Sequence, residues 1–165
     1  MERIYKANGA GDIEIIVGLA FIIWTEHYAP IIGDEQVAYM LERFQSAEAV
    51  RRQINDEQYE YYIAETREPA GYCALRPEPD KRALFLSKLY VKQEYRRQGL
   101  ARRLMDYALK DPRPGVFDTV RLTVNKHNND SIEAYERMGF IIQDSVVTDI
   151  GNGFVMDDYV MEKST

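Results

Sequence analysis

The sequence predicts an α/β sandwich in which a mixed sheet is covered by helices. Three observations predict it. Apolar residues recur at helical spacing from Ile13 to Ile54, and from Tyr59 the period falls to two. From there to Glu162, strand-like and helix-like stretches alternate. Short breaks rich in Gly, Pro and Asp separate them, and no internal repeat or long linker interrupts the 165 residues, so one domain is expected.

Each element follows in order. Residues 2–7 (ERIYKA) alternate weakly and read as an edge strand. Asp12 is the expected N-cap of a helix with Ile13, Ile16, Val17, Ala20, Ile23 and Trp24 at helical spacing. Pro30 should end that helix near Tyr28, because the residue before a proline avoids the helical region. The apolar run Ile15–Trp24 falls short of the ~18–20 residues that span a bilayer. It follows Asp12 and Glu14 where a secretion signal would be basic, so it reads as a buried helix. Asp34 starts a second helix with Val37, Met40, Leu41 and Phe44 on one face. Ser46 caps a third, with Ala47, Val50 and Ile54 inward.

Tyr59–Ala64 and Gly71–Arg76 then read as strands joined by a turn at Arg67–Ala70, and Pro77 and Pro79 break the chain. Leu84–Val91 is the next strand. A helix follows from near Gly99 to Leu109, with Leu100, Ala101, Leu104, Met105 and Ala108 on its core stripe. Val116–Val124 returns as a strand. Asp130-Ser131-Ile132-Glu133 has the spacing of a capping box and opens a helix carrying Ile132, Tyr135 and Met138, with Gly139 just past its end. Phe140–Thr148 and Phe154–Glu162 complete the order as a hairpin around Gly151-Asn152-Gly153.

The net charge is −6, which disfavours general nucleic-acid binding. Yet between Lys88 and Arg113 eight basic residues face only Glu94, Asp106 and Asp111, a local excess of five positive charges. A cationic spot on an anionic body suits a small anionic ligand with a cationic second substrate; a solvated helix face would show the same excess. Cys73 is the only cysteine, so no intrachain disulfide forms and a reducing cytoplasm is the expected compartment. It lies within a strand and reads as a small core residue. His27 and His127 are too few and too separated for a metal site.

The densest charge sits where a helix starts, in Tyr95–Leu104 (YRRQGLARRL). A helix N-terminus presents backbone N–H groups without intrahelical partners and about half a positive charge. Gly99 lets a ligand approach the backbone, and Arg96, Arg97, Arg102 and Arg103 surround the same turn, so the stretch suits a pyrophosphate. It is neither a P-loop nor a dinucleotide fingerprint, since the required lysine and glycines are missing.

Arg96-x-x-Gly99-x-Ala101, directly after a strand ending Leu89-Tyr90-Val91, resembles the Gln/Arg-x-x-Gly-x-Gly/Ala signature of the GNAT superfamily of N-acetyltransferases. Asn128-x-x-Ser131-Ile132-x-x-Tyr135-x-x-x-Gly139-Phe140 resembles that family's second motif, with Ser131 in place of the common alanine. The element order matches as well. The stretches Trp24–Gly33 and Met156–Lys163 look like bacterial polyamine acetyltransferases.

The resemblance implies a mostly antiparallel sheet splayed between its fourth and fifth strands, helices on both faces, and acetyl-CoA as co-substrate with no metal. It places the cofactor's diphosphate on the backbone from Arg97 through Gly99, Leu100 and Ala101 to Arg102, and its pantetheine arm along Leu89, Tyr90 and Val91. A backbone N–H in that strand would face the thioester oxygen. Asn125, Asn128 and Ser131 are cofactor candidates, though asparagines at such a junction also serve as caps and turn formers. Tyr135 would protonate the departing sulfur; periodicity alone reads it as a core tyrosine between Ile132 and Met138. The acceptor amine needs a base, and Glu26, His27, Asp157 and Asp158 are the candidates, with Tyr28 beside the substrate mouth. Consecutive strand residues face opposite sides, so only one of Asp157 and Asp158 can serve. The implied reaction is direct attack of a primary amine, such as a polyamine, on acetyl-CoA; an amino acid, an antibiotic or a protein N-terminus are other acceptors. A non-catalytic CoA-binding sensor is the alternative. The implied partners are a small cationic amine and, in a homodimer, a second copy, with neither nucleic acid nor membrane among them.

Overall fold

Along residues 2–165, which the computed structural model describes, the chain forms β1 (Arg3–Lys6), α1 (Gly9–Ile32), α2 (Asp34–Gln45), α3 (Ala47–Asp56), β2 (Glu60–Glu65) and β3 (Pro69–Glu78). Then come β4 (Ala83–Val91), α4 (Leu100–Lys110), β5 (Thr119–Asn125), α5 (Asn129–Arg137), β6 (Ile141–Gly151) and β7 (Phe154–Ser164). The seven strands make one sheet in the order β1-β2-β3-β4-β5-β7-β6. β1–β2, β2–β3, β5–β7 and β6–β7 pair antiparallel, and β4 and β5 pair parallel. The sheet is therefore mixed and mostly antiparallel, as the sequence implies. The parallel ladder joins Ala83, Leu84 and Phe85 to Thr119, Val120 and Arg121; β4 runs on to Val91 and β5 to Asn125 beyond it. The chain forms two compact units, one holding the chain through Arg76 with Lys88–Arg113, the other Pro77–Ser87 with Pro114–Thr165.

In the first unit, strand alternation sends Tyr61 and Tyr62 to opposite faces of the sheet. The Tyr61 phenol donates to Gln53 and accepts from Gln45 Nε2 at 3.1 Å, and Gln45 Oε1 accepts from the Tyr72 phenol at 2.7 Å. That face is covered by α2 and α3. The Tyr62 phenol donates to Asp111 Oδ2 at 2.7 Å just past α4, and its ring meets Tyr107 edge-on. Helices therefore cover both faces. These phenols also explain which residues α3 buries. Ser46 caps it by accepting from Ala49 N at 3.2 Å, as expected, but the buried set is Ala49, Val50 and Gln53 rather than Ala47, Val50 and Ile54. Burial of a phenol requires a polar partner, and Gln53 turns inward to supply it.

Several boundaries depart from the sequence reading. Helix α1 starts at Gly9, with Asn8 as N-cap, and the Asp12 carboxylate accepts from Asn8 N at 2.7 Å instead of capping the helix itself. It also runs through Pro30 to Ile32, past the expected end at Tyr28. Pro30 removes only one N–H in the final turn, and Gly33 N closes the end on Ala29 O at 2.9 Å. The resulting 24 residues are long and apolar enough to cross a bilayer by length and composition, contrary to the shorter run expected. One stripe of it, Ile13, Ile16, Leu19, Ala20, Ile23 and Trp24, is buried, and the helix packs with α2 and α3. Next, β3 absorbs both Pro69 and Pro77, and the turn shrinks to Thr66–Glu68, closed by Thr66 N on Glu68 O at 3.0 Å. Pro77 lies beyond Leu75, where the register with β2 ends, so its missing donor costs no bond to that strand.

In the second unit, β5 begins at Thr119 rather than Val116. Asp118 is tied to Arg82 by an ion pair at 2.6 Å and by its own N–H on Arg82 O at 2.8 Å, while Val116 stays exposed. The start of α5 also shifts: Asn128, not Asp130, is the N-cap, accepting from Ser131 N at 3.3 Å. Gly139 takes φ 100° just past the helix, as its position predicts. β6 is the outer strand, and its residues Ile141 to Asp149 are all exposed.

Candidate active site

After β4 the chain makes one 3-10 turn, Gln93–Tyr95, and reaches α4 through Arg97 at φ 63° and Gly99 at φ 75°. Both lie in the left-handed region, and such kinks in succession curl backbone N–H groups toward one point, a geometry that binds anions. Gly99 is the N-cap of α4; no side chain caps the helix and no acidic residue occupies its first turn. The first intrahelical bond is Arg103 N to Gly99 O at 3.1 Å, so the amides of Leu100 and Ala101 precede the helical ladder. This cradle fits a diphosphate. The arginines divide the work differently from the sequence reading. Arg96 Nε donates to Val91 O at 2.9 Å, which fastens the loop to the end of β4. Arg103 pairs with Glu2 at 2.7 Å and donates to Gln98 O at 2.8 Å. Arg97 and Arg102 are exposed at the turn.

Next to this loop, Leu89 and Val91 are buried and Tyr90 is half-buried. Gly71 of β3 permits that approach: a Cβ there would meet Tyr90 O at 2.6 Å. The Tyr90 ring sits among Trp24, Tyr28 and Tyr72, with centroids 5.7, 6.0 and 5.7 Å away. Its phenol lies 3.1 Å from that of Tyr28. Of the acceptor-side candidates on α1, Tyr28 is thus brought to β4, and the His27 ring leans on Tyr28 at 5.0 Å. Glu26 is exposed, and because α1 continues to Ile32 neither Glu26 nor His27 stands at the helix end, where the sequence reading put them.

Lys88 was missed. It is buried, its Nζ lies 5.4 Å from the Tyr59 ring centroid, and the Arg76 guanidinium lies 5.4 Å from the same centroid. Burial, assisted by Arg76 and opposed by Glu57, lowers its amine to about 8. A lysine inside the apolar run LFLSKLYV was the signal.

At the end of β5, Asn125 Oδ1 accepts from His127 N at 2.9 Å, and Asn125 O accepts from Asn128 N at 3.0 Å. Asn125 and Asn128 thus hold the turn into α5, with Ser131 giving its N–H to the Asn128 cap. Tyr135 is half-buried with its ring 5.8 Å from Phe140, and its carbonyl accepts from Phe140 N at 3.0 Å. Asp157 pairs with Lys126 at 2.9 Å. Asp158 stands opposite Asn125 in the β5–β7 register and is only 5 % exposed. Burial, with the charge of Asp157 adding and that of Lys126 opposing, pushes its carboxyl up to about 6. Cys73 is fully buried in β3, which pushes its thiol far up, as expected of a core residue. Among the described residues no group of three or more His, Cys, Asp or Glu is placed to hold a metal.

The profile of the acetyltransferase (GNAT) family matches residues 22–140, from α1 to the end of the second motif. The chain belongs to the GNAT family. The family is one of acetyltransferases. It is 34% identical over 77 residues to a probable N-acetyltransferase, san, of Drosophila melanogaster, covering 44% of this chain and 40% of that one. It is 30% identical over 71 residues to GCN5-related N-acetyltransferase 6, chloroplastic, of Arabidopsis thaliana, covering 43% of this chain and 25% of that one. The match thus spans well under half the length of either curated relative. The fold of this GNAT protein superposes on the PaiA N-acetyltransferase of Thermoplasma acidophilum, solved with coenzyme A, at TM-score 0.79 and 22% identity, covering 100% of this chain and 99% of that one. A spermidine N-acetyltransferase SpeG chimera from Vibrio cholerae and hSSAT superposes at TM-score 0.67 and 18% identity, covering 98% and 93%.

Proposed function

We propose that this GNAT protein transfers an acetyl group from acetyl-CoA to a primary aliphatic amine, by direct attack of the amine on the thioester. The observation that supports this reading is the start of α4, where a left-handed Gly99, no side-chain cap and an acid-free first turn suit a diphosphate. In this reading the amides from Arg97 to Arg102 hold the diphosphate, and backbone groups of Leu89, Tyr90 and Val91 hold the pantetheine arm and polarise the thioester oxygen. Asn125 and Asn128 keep the β5–α5 turn in shape and so position Tyr135, which gives its phenolic proton to the departing sulfur.

A polyamine is the first acceptor to try. The net charge of −6 favours a cationic substrate. We further propose a cytoplasmic enzyme, on the strength of its single buried thiol, and a homodimer, on the strength of the open outer edge of β6.

The experiment mixes the protein with acetyl-CoA and spermidine, a panel of small amines, an N-terminal peptide, or no acceptor, and follows free thiol. Acceptor-dependent release is expected, fastest with spermidine. Tight CoA binding without release across the panel would make the chain a CoA sensor instead.

A further inference from the structure

We propose that Asp158 is the base that takes the proton of the acceptor amine, directly or through one water. The inference rests on the N-acetyltransferase reading and adds the residue that the reaction needs on its nucleophile side.

Register and packing carry it. In the β5–β7 ladder, Asp158 faces Asn125, the last residue of β5, while Lys163 pairs with Val120 on the alternate set of positions. Lys163 Nζ donates to Met138 O at 3.1 Å and lies 5.6 Å from the Phe140 ring centroid, so α5 and its Tyr135 lie over the Lys163 face. Side chains alternate along a strand, so Asp158 projects from the opposite face. The second unit thus places a phenol on one face of the sheet and a carboxyl on the other, the carboxyl at the C-terminal end of β5. Amine attack on a thioester needs this division: the nucleophile's proton leaves on one side and the sulfur is protonated on the other.

The surroundings of Asp158 suit the task. Among the described residues no hydrogen bond is seated on its carboxylate, so its lone pairs are open to an ammonium or a water. The neighbouring acid Asp157 is ion-paired with Lys126 and pairs with Val147 on β6. Asp158 itself pairs with Val146 on β6, and the next acid along that strand, Asp144, stands opposite Val160. Lys126 and Asp157 are therefore the charges that set its titration, and burial outweighs both. Proton and bond changes balance. The amine nitrogen bonds to the carbonyl carbon as the carbon–sulfur bond breaks. Its proton moves to Asp158 Oδ, and the sulfur takes the Tyr135 proton. The two side chains then exchange that proton through solvent.

Asp158→Asn tests it, with Asp157→Asn beside it. The expected result is a fall of about 100-fold in kcat/KM at neutral pH. The acidic limb of the wild-type kcat/KM profile, centred near the Asp158 titration, should vanish. Activity of the variant should climb with pH as free amine replaces the missing base. Affinity for CoA should be unchanged, and the melting temperature at pH 7.5 should rise, since a buried charge has been removed. Asp157→Asn should keep the limb. If Asp158→Asn keeps both the limb and its rate within about twofold, the assignment is overturned while the N-acetyltransferase reading stands. If the wild type itself releases no thiol with any acceptor, that reading fails first.

Discussion

Gly71 lies flush against Tyr90: an added Cβ would stand 2.6 Å from the Tyr90 carbonyl oxygen and 3.2 Å from Val91 Cα. Both obstacles are backbone, so neither can rotate aside. Gly71→Ala should therefore push β4 outward at the residues proposed to hold the pantetheine arm. Urea denaturation should show a loss of about 1–3 kcal/mol, and calorimetric CoA affinity should fall as well.

Gly99 tests the cradle. At φ 75° an alanine is strained by roughly 1–2 kcal/mol, and relief of that strain turns the amides of the next residues away from a common point. Gly99→Ala should weaken CoA binding about tenfold, measured by calorimetry, with a smaller change in melting temperature. Unchanged affinity would remove this turn from the binding site.

Tyr135 tests the acid. Tyr135→Phe keeps the ring beside Phe140 and removes only the hydroxyl. Steady-state assays should show kcat lowered by about 10²-fold with CoA affinity nearly intact. A large affinity loss with unchanged turnover would make it a packing residue.

Lys88 gives a stability signature. Its amine titrates at about 8 when folded against an ordinary 10.5, so the folded state penalises the charged form. Below pH 8 that penalty is fully present, and it fades as pH rises toward the unfolded value. Lys88→Met should therefore gain about 1–3 kcal/mol at pH 7, with the gain shrinking between pH 8 and 10.5. Thermal melts of both proteins across that range measure it.

What the sequence disclosed was local chemistry. Ser46 caps its helix because the donor lies three residues away, and Gly99 starts α4 because its turn needs a left-handed residue. The β6–β7 hairpin follows from Gly151-Asn152-Gly153 for the same reason. What it hid depends on neighbours distant in the chain. Pro30 stays helical because in the last turn it removes only one N–H while Gly33 N closes the end on Ala29 O, and Gln53 turns inward because Tyr61 needs a partner. Asn128 and Asp130 were equally good caps by composition, and only the fold of Asn125 onto His127 decides between them. Asp157 and Asp158 are the same residue type in consecutive positions. Their separation into an ion-paired acid and a buried one comes from the register with β5.

Cys73 has a practical consequence. The molecule's one sulfhydryl is walled in, and burial keeps it protonated far into alkaline conditions. A colorimetric thiol reagent added to the native protein will therefore see no background from the polypeptide, and in the proposed assay every equivalent it titrates is released CoA. The same seclusion leaves the surface clear for a single engineered cysteine, so a dye could be attached beside Tyr28 without competing chemistry elsewhere.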